Sequence, residues 1–231
     1  MIRTAVLCPH PPLLLRELGG EQDPAVDHRK AALAAVSEAV AGVMPPDDDH
    51  VRGAGGPWDP STPVDVRRFG TTDPPSSRPG LPLSLGVGMR LLDEEGWSGS
   101  TDLLAVPWDA GRATSSTVAR GLADRPDGTV LLALGDGSTR RGDKAPGYLD
   151  DRSFPFDDGV AAALATGDAQ ALADLDADLA ADLMVLGATV LRVLGGVAVA
   201  QGSQPAAALS YRDDPFGVSW FVATWQLTTA G

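Results

Sequence analysis

The chain has 231 residues, of which 43% are hydrophobic, and this composition predicts a single α/β domain over residues 1–231. Its 31 acidic residues outnumber its 18 basic residues and give a formal net charge of −13. Because nucleic acids and anionic membranes attract basic surfaces, this charge argues against both as partners.

The cysteine content and the hydropathy pattern favour a cytoplasmic protein. Cys8 is the only cysteine, so no disulfide can form within the chain. Its place in an apolar run favours a small buried side chain over a nucleophile. The sequence has no stretch of about 20 apolar residues and lacks the pattern of a secretory signal.

His10 is the best single candidate for chemistry in the first part of the chain. The apolar run at residues 3–8 is typical of a strand and stops at Pro9, and two prolines follow His10 directly. In α/β proteins, ligands and metals collect where strands end, so a histidine held at this point could bind one. A hydrogen bond that caps the end of the strand is the alternative role of His10.

The rest of the chain alternates between helical and strand patterns. The predicted helices cover about residues 23–43, 85–95, 114–123, 155–164 and 169–194, the predicted strands cover 101–106 and 129–134, and residues 45–82 are predicted to be mainly loop. Residues 206–210 and 218–225 flank a turn rich in Asp, Pro and Gly and predict a hairpin. This order predicts a three-layer α/β/α domain with a mixed central sheet and a C-terminal β-hairpin.

Two of the predicted helices carry apolar stripes. In the helix at 23–43, Leu33, Val36 and Val40 are spaced for one face, and His28 is expected on the polar surface. The long helix at 169–194 is expected to pack through a stripe of leucines, with a break at Gly187 as an alternative; these leucines are Leu172, Leu175, Leu179, Leu183 and Leu186.

A turn of small residues follows the predicted strand at 129–134. It contains Asp136, Ser138 and Thr139 between glycines. The turn lacks the third glycine of a dinucleotide-binding loop, and the Gly-x-Ser-x-Gly motif of a serine hydrolase is absent. Ser138 therefore fits a turn residue better than a nucleophile.

Arg140, Arg141 and Lys144 form the one compact basic cluster of this acidic chain. Clustered guanidinium groups bind carboxylates and phosphates well, so the cluster could orient an acidic ligand. A solvated loop whose charges balance nearby aspartates is the alternative.

These motifs in combination resemble the class III extradiol dioxygenase superfamily. A strand that ends in Pro-His-Pro-Pro, a strand that ends in Gly-Asp-Gly-Ser and a terminal hairpin are similar to the catalytic subunit of protocatechuate 4,5-dioxygenase and to the Memo proteins. The resemblance is closest to an actinobacterial branch, covers nearly the whole chain and is strongest in residues 6–15, 131–151 and 213–225. It implies a fold like that of the beta-type catalytic subunit of these dioxygenases.

The resemblance also implies a set of metal ligands. Members that open catechol rings bind Fe(II) through two histidines and a carboxylate. His10 matches the first histidine, and His50 lies in roughly the right part of the chain for the second. The family takes a glutamate from the C-terminal part, but no glutamate follows Glu95, so Asp213 or Asp214 would have to serve. Both aspartates also suit an exposed turn.

Thr139 departs from the pattern of the active relatives. They carry a histidine directly after the serine of the Gly-Asp-x-Ser turn, where it acts as acid and base toward the substrate. A threonine hydroxyl does not titrate near neutral pH and cannot take this role. The resemblance therefore implies a degenerate iron site in a non-catalytic or small-ligand-binding homologue, with its pocket near His10, Asp136, Ser138 and Thr139.

Two further functions stay open. An active enzyme would use His10, His50 and an aspartate with Fe(II) on a catechol-like aromatic substrate. A protein-interaction module would contact a partner protein or a second copy through exposed aromatic residues, which are expected at Trp58, Trp97 and Trp108.

Overall fold

The computed structural model describes residues 1–19, 23–41, 58–64, 66 and 80–228. The strands are β1 (Ile2–Cys8), β2 (Thr129–Leu134), β3 (Ala206–Asp213) and β4 (Trp220–Gln226). The α-helices are α1 (Arg16–Gly19), α2 (Val26–Val40), α3 (Leu83–Glu94), α4 (Arg112–Ala123), α5 (Ser153–Thr166), α6 (Ala169–Ala173), α7 (Ala177–Asp182) and α8 (Ala188–Ala200).

The chain divides into two compact units. Residues Met1–Pro9 and Val106–Gly231 form the first, which we call the sheet unit because it contains all four strands. Residues His10–Ala105 form the second, which we call the helical unit. The expectation of a single domain over residues 1–231 stays a prediction.

The four strands form one mixed sheet in the order β2-β1-β4-β3. Strands β1 and β2 run parallel, β1 pairs antiparallel with β4, and β3 and β4 form the C-terminal hairpin. The predictions of a mixed sheet and of a terminal hairpin are therefore confirmed.

The strand predicted at residues 101–106 does not form. Within this run Leu103 is buried, but Leu104 is 41% exposed and Asp102 is exposed as well. An apolar run becomes a central strand only where both of its faces are covered, and this one is not.

The core of the sheet unit lies against one face of the sheet. The strand register places Ala5 opposite Trp225 and Leu7 opposite Ala223, so these four side chains share that face. Helices α5, α6 and α8 complete the same apolar cluster, with the fully buried side chains Leu164, Leu172, Leu191 and Leu194. The alternate residues of the central strands, among them Val6, Cys8 and Val222, are buried too, which explains why β1 and β4 are apolar almost throughout.

The single long helix predicted at 169–194 is wrong, because three separate helices cover this region. The alternative of a break at Gly187 is confirmed, since α8 begins directly after it. Two aspartates start new helices by capping free backbone N–H groups: Asp168 accepts from Ala171 N, and Asp176 accepts from Asp178 N and Leu179 N, each at 3.0 Å. Leu186, at the end of the predicted stripe, is 46% exposed.

In the helical unit, α2 contacts α3 and a 3-10 turn at Pro12–Leu14. Its buried face includes His28 and Arg29, which are 4% and 5% exposed, so the prediction of a surface His28 was wrong. Arg29 is buried because its guanidinium donates to Leu14 O at 2.8 Å and to Leu13 O at 2.7 Å and also pairs with Asp23. These polar contacts of Arg29 therefore help to decide which face of α2 is buried. Leu33 and Val40, on the predicted apolar face, are only half-buried.

Candidate functional site

The turn after β2 holds three of the predicted site residues in buried positions. Asp136 and Thr139 are each 8% exposed, and Ser138 is fully buried. The turn extends the sheet, since Gly137 N donates to Ser219 O at 2.7 Å and Ser219 N donates to Ser138 O at 2.9 Å. The predicted location of these residues, at the carboxyl end of a strand, is therefore confirmed.

Close packing explains the two glycines that surround this turn. A Cβ atom at Gly137 would lie 2.7 Å from Asp157 Oδ1, and one at Gly187, just before α8, would lie 2.3 Å from Asp136 O. Both distances are shorter than real Cβ contacts. Glycine is thus required at 137 and 187 so that the turn can pack against α5 and against the start of α8.

Ser138 forms a buried pair with Asp157 of α5. The carboxylate accepts from Ser138 N at 3.0 Å and from Ser138 Oγ at 2.5 Å, and both residues are fully buried. Burial raises the pKa of Asp157 above its ordinary value, although the hydrogen bonds from Ser138 and the charge of Arg141 oppose this shift. Ser138 therefore fixes the turn to α5, consistent with its expected role as a turn residue.

Arg141 connects the Ser138–Asp157 pair to the turn between β3 and β4. Its Nε lies 2.6 Å from Asp214 Oδ2, its Nη1 lies 3.4 Å from Asp157 Oδ2, and its guanidinium carbon sits 4.5 Å from the centre of the Phe154 ring. The side chain is only 10% exposed. Arg141 is thus held inside the protein and does not belong to a solvated basic loop.

The other two members of the basic cluster differ from Arg141. Lys144 is exposed and Arg140 is half-buried, and neither forms an ion pair among the described residues. The backbone of Arg140 is fixed, because its carbonyl accepts from Asp150 N at 3.1 Å and from Ser153 Oγ at 3.0 Å. The proposed binding of an acidic ligand by this cluster stays a prediction.

Three buried polar atoms in and beside the turn have no hydrogen-bond partner within the part of the chain that the structure describes. They are Thr139 Oγ1, Arg140 Nε and Ser219 Oγ. Buried polar atoms of native proteins are nearly always paired, so each of these positions calls for a bound water or a ligand.

The predicted metal ligands lie in separate parts of the chain. His10 is half-buried in the helical unit, after β1, and His50 lies outside the described residues. Asp213 is exposed at the end of β3, where its carboxylate accepts from Asp214 N at 2.9 Å and from Tyr211 Oη at 3.4 Å. Across the described ranges, no three His, Cys, Asp or Glu side chains are grouped to hold a metal ion. The assignment of His10, His50 and Asp213 as iron ligands stays a prediction.

The three tryptophans that are expected at the surface differ in exposure. Trp108 is 53% exposed, whereas Trp58 and Trp97 are half-buried. Trp97 also donates from Nε1 to Thr101 Oγ1 at 3.1 Å. Only Trp108 of these three therefore has the exposure expected of a contact residue.

Sequence reasoning missed the partners of the site. Asp157 lies in the helix predicted at 155–164, in which no site residue was expected, and its contact with Ser138 spans 19 positions, so no local pattern reveals it. Apart from these partners, the buried Arg192 was missed as well, although an arginine inside the apolar sequence of α8 is a detectable signal of a buried polar contact. It is 4% exposed and donates to Ala110 O at 2.7 Å and to Thr189 Oγ1 at 3.2 Å.

No protein-family model matches the chain, and no curated protein is similar enough to be matched with it. In the ranges described, none of the helices has the length and apolar character needed to cross a membrane.

Proposed function

We propose that this chain is a class III extradiol dioxygenase-like protein, similar in fold to the beta-type catalytic subunit, and that it binds a small aromatic or acidic ligand without opening its ring. The proposal includes a three-layer α/β/α arrangement, a degenerate Fe(II) site and a cytoplasmic location. Its main support is Thr139, which stands where the active relatives of the resemblance carry their acid and base.

The environment of Thr139 argues against proton transfer at this point. Its hydroxyl is buried, does not titrate near neutral pH and has no hydrogen-bond partner among the described residues that could relay a proton. Loss of a positioned acid and base typically lowers a rate by about a hundredfold to ten-thousandfold. Catalysis of the kind that the resemblance implies would therefore be severely impaired.

The same turn retains features of a binding site. Thr139 Oγ1 can donate or accept, and Arg140 Nε can donate, so the two groups suit a carboxylate or a phenolic oxygen. The hydrogen bonds of Ser138 and Arg141 fix the backbone on either side of Arg140. A preorganised loop loses little entropy when it binds a ligand. The fixed backbone of this turn therefore supports ligand binding even where catalysis is lost.

Iron, when bound in such a fold, supplies open coordination positions for a catechol and oxygen. The described residues do not provide three grouped His, Cys, Asp or Glu ligands for it. His10 and His50 are the side chains that would hold iron if the alternative of an active enzyme applied.

Calorimetric titration with benzoate and with 3,4-dihydroxybenzoate, under anaerobic conditions, tests the binding part. We expect at least one of the two to bind, and Thr139→Val and Arg140→Met to weaken that binding by about tenfold each, since each removes one polar contact. Arg120→Met is the matched control for Arg140→Met and should leave the affinity unchanged, because Arg120 is an exposed arginine of α4, outside the basic cluster.

Absorbance after addition of oxygen and Fe(II) to the same samples tests the catalytic part. We expect no yellow ring-opened product from 3,4-dihydroxybenzoate. Product formation that His10→Ala abolishes would establish the active enzyme instead. Absence of binding by both probes would overturn the proposed ligand class.

A further inference from the structure

Three residues of the sheet unit combine a left-handed backbone conformation with a bulky, exposed side chain. Among the described residues other than glycine, only Tyr148, Met184 and Phe216 have positive φ angles, at 57°, 53° and 61°. All three are bulky and exposed, with exposed fractions of 74%, 37% and 55%. The backbone would favour glycine at these positions, and water would favour a polar side chain. Solvation therefore does not explain why large apolar side chains occupy these strained positions, although the ring of Phe216 also packs against that of Trp220, with the ring centroids 6.3 Å apart.

The three residues lie in or beside one loop, at positions 139–150, because Tyr148 belongs to the loop and Met184 and Phe216 lie next to it. A Cβ atom at Gly147, next to Tyr148, would lie 2.9 Å from Met184 Sδ. On the other side of the loop, Arg141 N donates to Gly217 O at 3.1 Å, which places Phe216 beside it. The three strained side chains thus belong to one region of the surface.

More exposed apolar side chains extend this region. Leu149 and Phe154 are 44% and 38% exposed, and Leu186, two residues after Met184, is 46% exposed. Six of the nine large exposed hydrophobic residues in the described sheet unit lie here. We call these six the apolar patch: Tyr148, Leu149, Phe154, Met184, Leu186 and Phe216.

The size of the apolar patch matches what a stable protein interface needs. With aromatic and large aliphatic side chains that expose these fractions, the patch presents on the order of 500 Å² of apolar surface. A standard interface buries about 800 Å² on each partner, of which roughly 57–65% is apolar, or about 450–520 Å². The patch alone therefore supplies the apolar area of one side of such an interface.

The charges beside the apolar patch favour a second copy of the same chain as the partner. Arg152 is neutralised within the chain by Asp150 at 2.8 Å and by Asp182 at 3.1 Å. Lys144, Asp143 and Asp151 are exposed and form no ion pair among the described residues. Free charges of both signs at one patch are self-complementary about a two-fold axis, because the cation of each copy can meet an anion of the other.

We propose that the apolar patch is the interface of a homodimer, in which Lys144 of each copy lies near Asp143 or Asp151 of the other. The net charge of −13 on each chain opposes this association at long range. Added salt should therefore strengthen the dimer by screening that repulsion. This proposal is independent of the ligand, and either can fail without the other.

Analytical ultracentrifugation of the full chain, from about 1 to 200 µM and at low and high salt, measures the assembly directly. We expect a species of twice the 23.8 kDa chain mass, with a lower dissociation constant at high salt. A monomer at every concentration would overturn the proposal.

Single charge substitutions locate the interface. Phe216→Asp and Tyr148→Asp should each raise the dissociation constant by about 100-fold or more, since both copies of the side chain are buried in one isologous contact. Aspartate tolerates the left-handed backbone at both positions, so the variants should fold. Val199→Asp adds the same charge at a 44% exposed residue of α8, away from the patch, and should leave the dimer intact.

Hydrogen exchange of the unmodified protein provides a test that does not depend on any variant. Residues 139–150 and 214–218 should exchange more slowly at a concentration that favours the dimer than at one that favours the monomer. Equal exchange at both concentrations would overturn the assignment of the interface to this patch, as would a dimer that survives both patch substitutions.

Discussion

Replacement of Ser138 by alanine should destabilise the protein strongly, because it removes the shortest contact of a buried carboxylate. Ser138 Oγ donates to Asp157 Oδ2 at 2.5 Å, and both residues are fully buried. The remaining partners of Asp157 are Ser138 N at 3.0 Å and Arg141 Nη1 at 3.4 Å. A hydrogen bond to a charged group contributes about 1.5–3 kcal/mol, and we expect a loss of free energy of unfolding in that range.

The loss should depend on pH with a defined sign. Burial raises the pKa of Asp157 above its value in the unfolded chain, so the folded state binds more protons between the two values and gains stability as the pH falls through that interval. Once Asp157 is protonated, Ser138→Ala removes only a neutral hydrogen bond. The effect of the substitution should therefore be largest at neutral pH and smaller in acid.

Thermal unfolding followed by circular dichroism measures this effect. For a chain of this length, the expected loss corresponds to a decrease in Tm of roughly 3–12 °C. Asp157→Asn is the companion variant, because it imitates the protonated carboxyl and should remove the pH dependence of the Ser138→Ala effect. A Tm change below about 1 °C, or an effect that grows in acid, would refute the reasoning.

Three further predictions concern other parts of the chain. Gly137→Ala places a Cβ 2.7 Å from a buried carboxylate oxygen and should lower the free energy of unfolding by about 1–3 kcal/mol. Gly121→Ala, in open space on α4, should raise the free energy of unfolding by up to about 1 kcal/mol. Urea unfolding of both variants compares these effects. Burial raises the pKa of the Cys8 thiol to about 12, so a disulfide reagent should label it only as the chain unfolds, and immediate labelling of the native protein would contradict this. The hydrogen bond from Arg29 holds the pKa of Asp23 below its usual range, so its stabilising effect should be present above the unfolded pKa and disappear as the pH falls through the folded one. Arg29→Met should abolish that acid-dependent loss, and an unchanged profile of Tm against pH would show that the pair does not contribute.

Much of the sheet could be predicted because its signal is local. Strands β1 and β4 are buried on both faces, so they appear in the sequence as continuous apolar runs with turn residues beside them. The helix predicted at 169–194 was wrong for an equally local reason: Asp168 and Asp176 cap new helices, and an apolar periodicity does not show these breaks.

The candidate site could be predicted only in part. The sequence placed Asp136, Ser138 and Thr139 after a strand, because turn residues follow β2 directly. It could not reveal that Asp157 and Asp214 hold Arg141, since these contacts join residues 16 and 73 positions apart. Long-range ion pairs leave no periodic pattern in one sequence, so the basic cluster was predicted as a unit although its members have different environments.

Iron content after anaerobic purification and reconstitution with Fe(II) tests the degenerate site most directly. A chain that has lost the catalytic iron site should hold close to zero iron, both as the natural sequence and as His10→Ala. Near one iron per chain, lost in His10→Ala, would contradict a degenerate site and identify an active metal centre that includes His10.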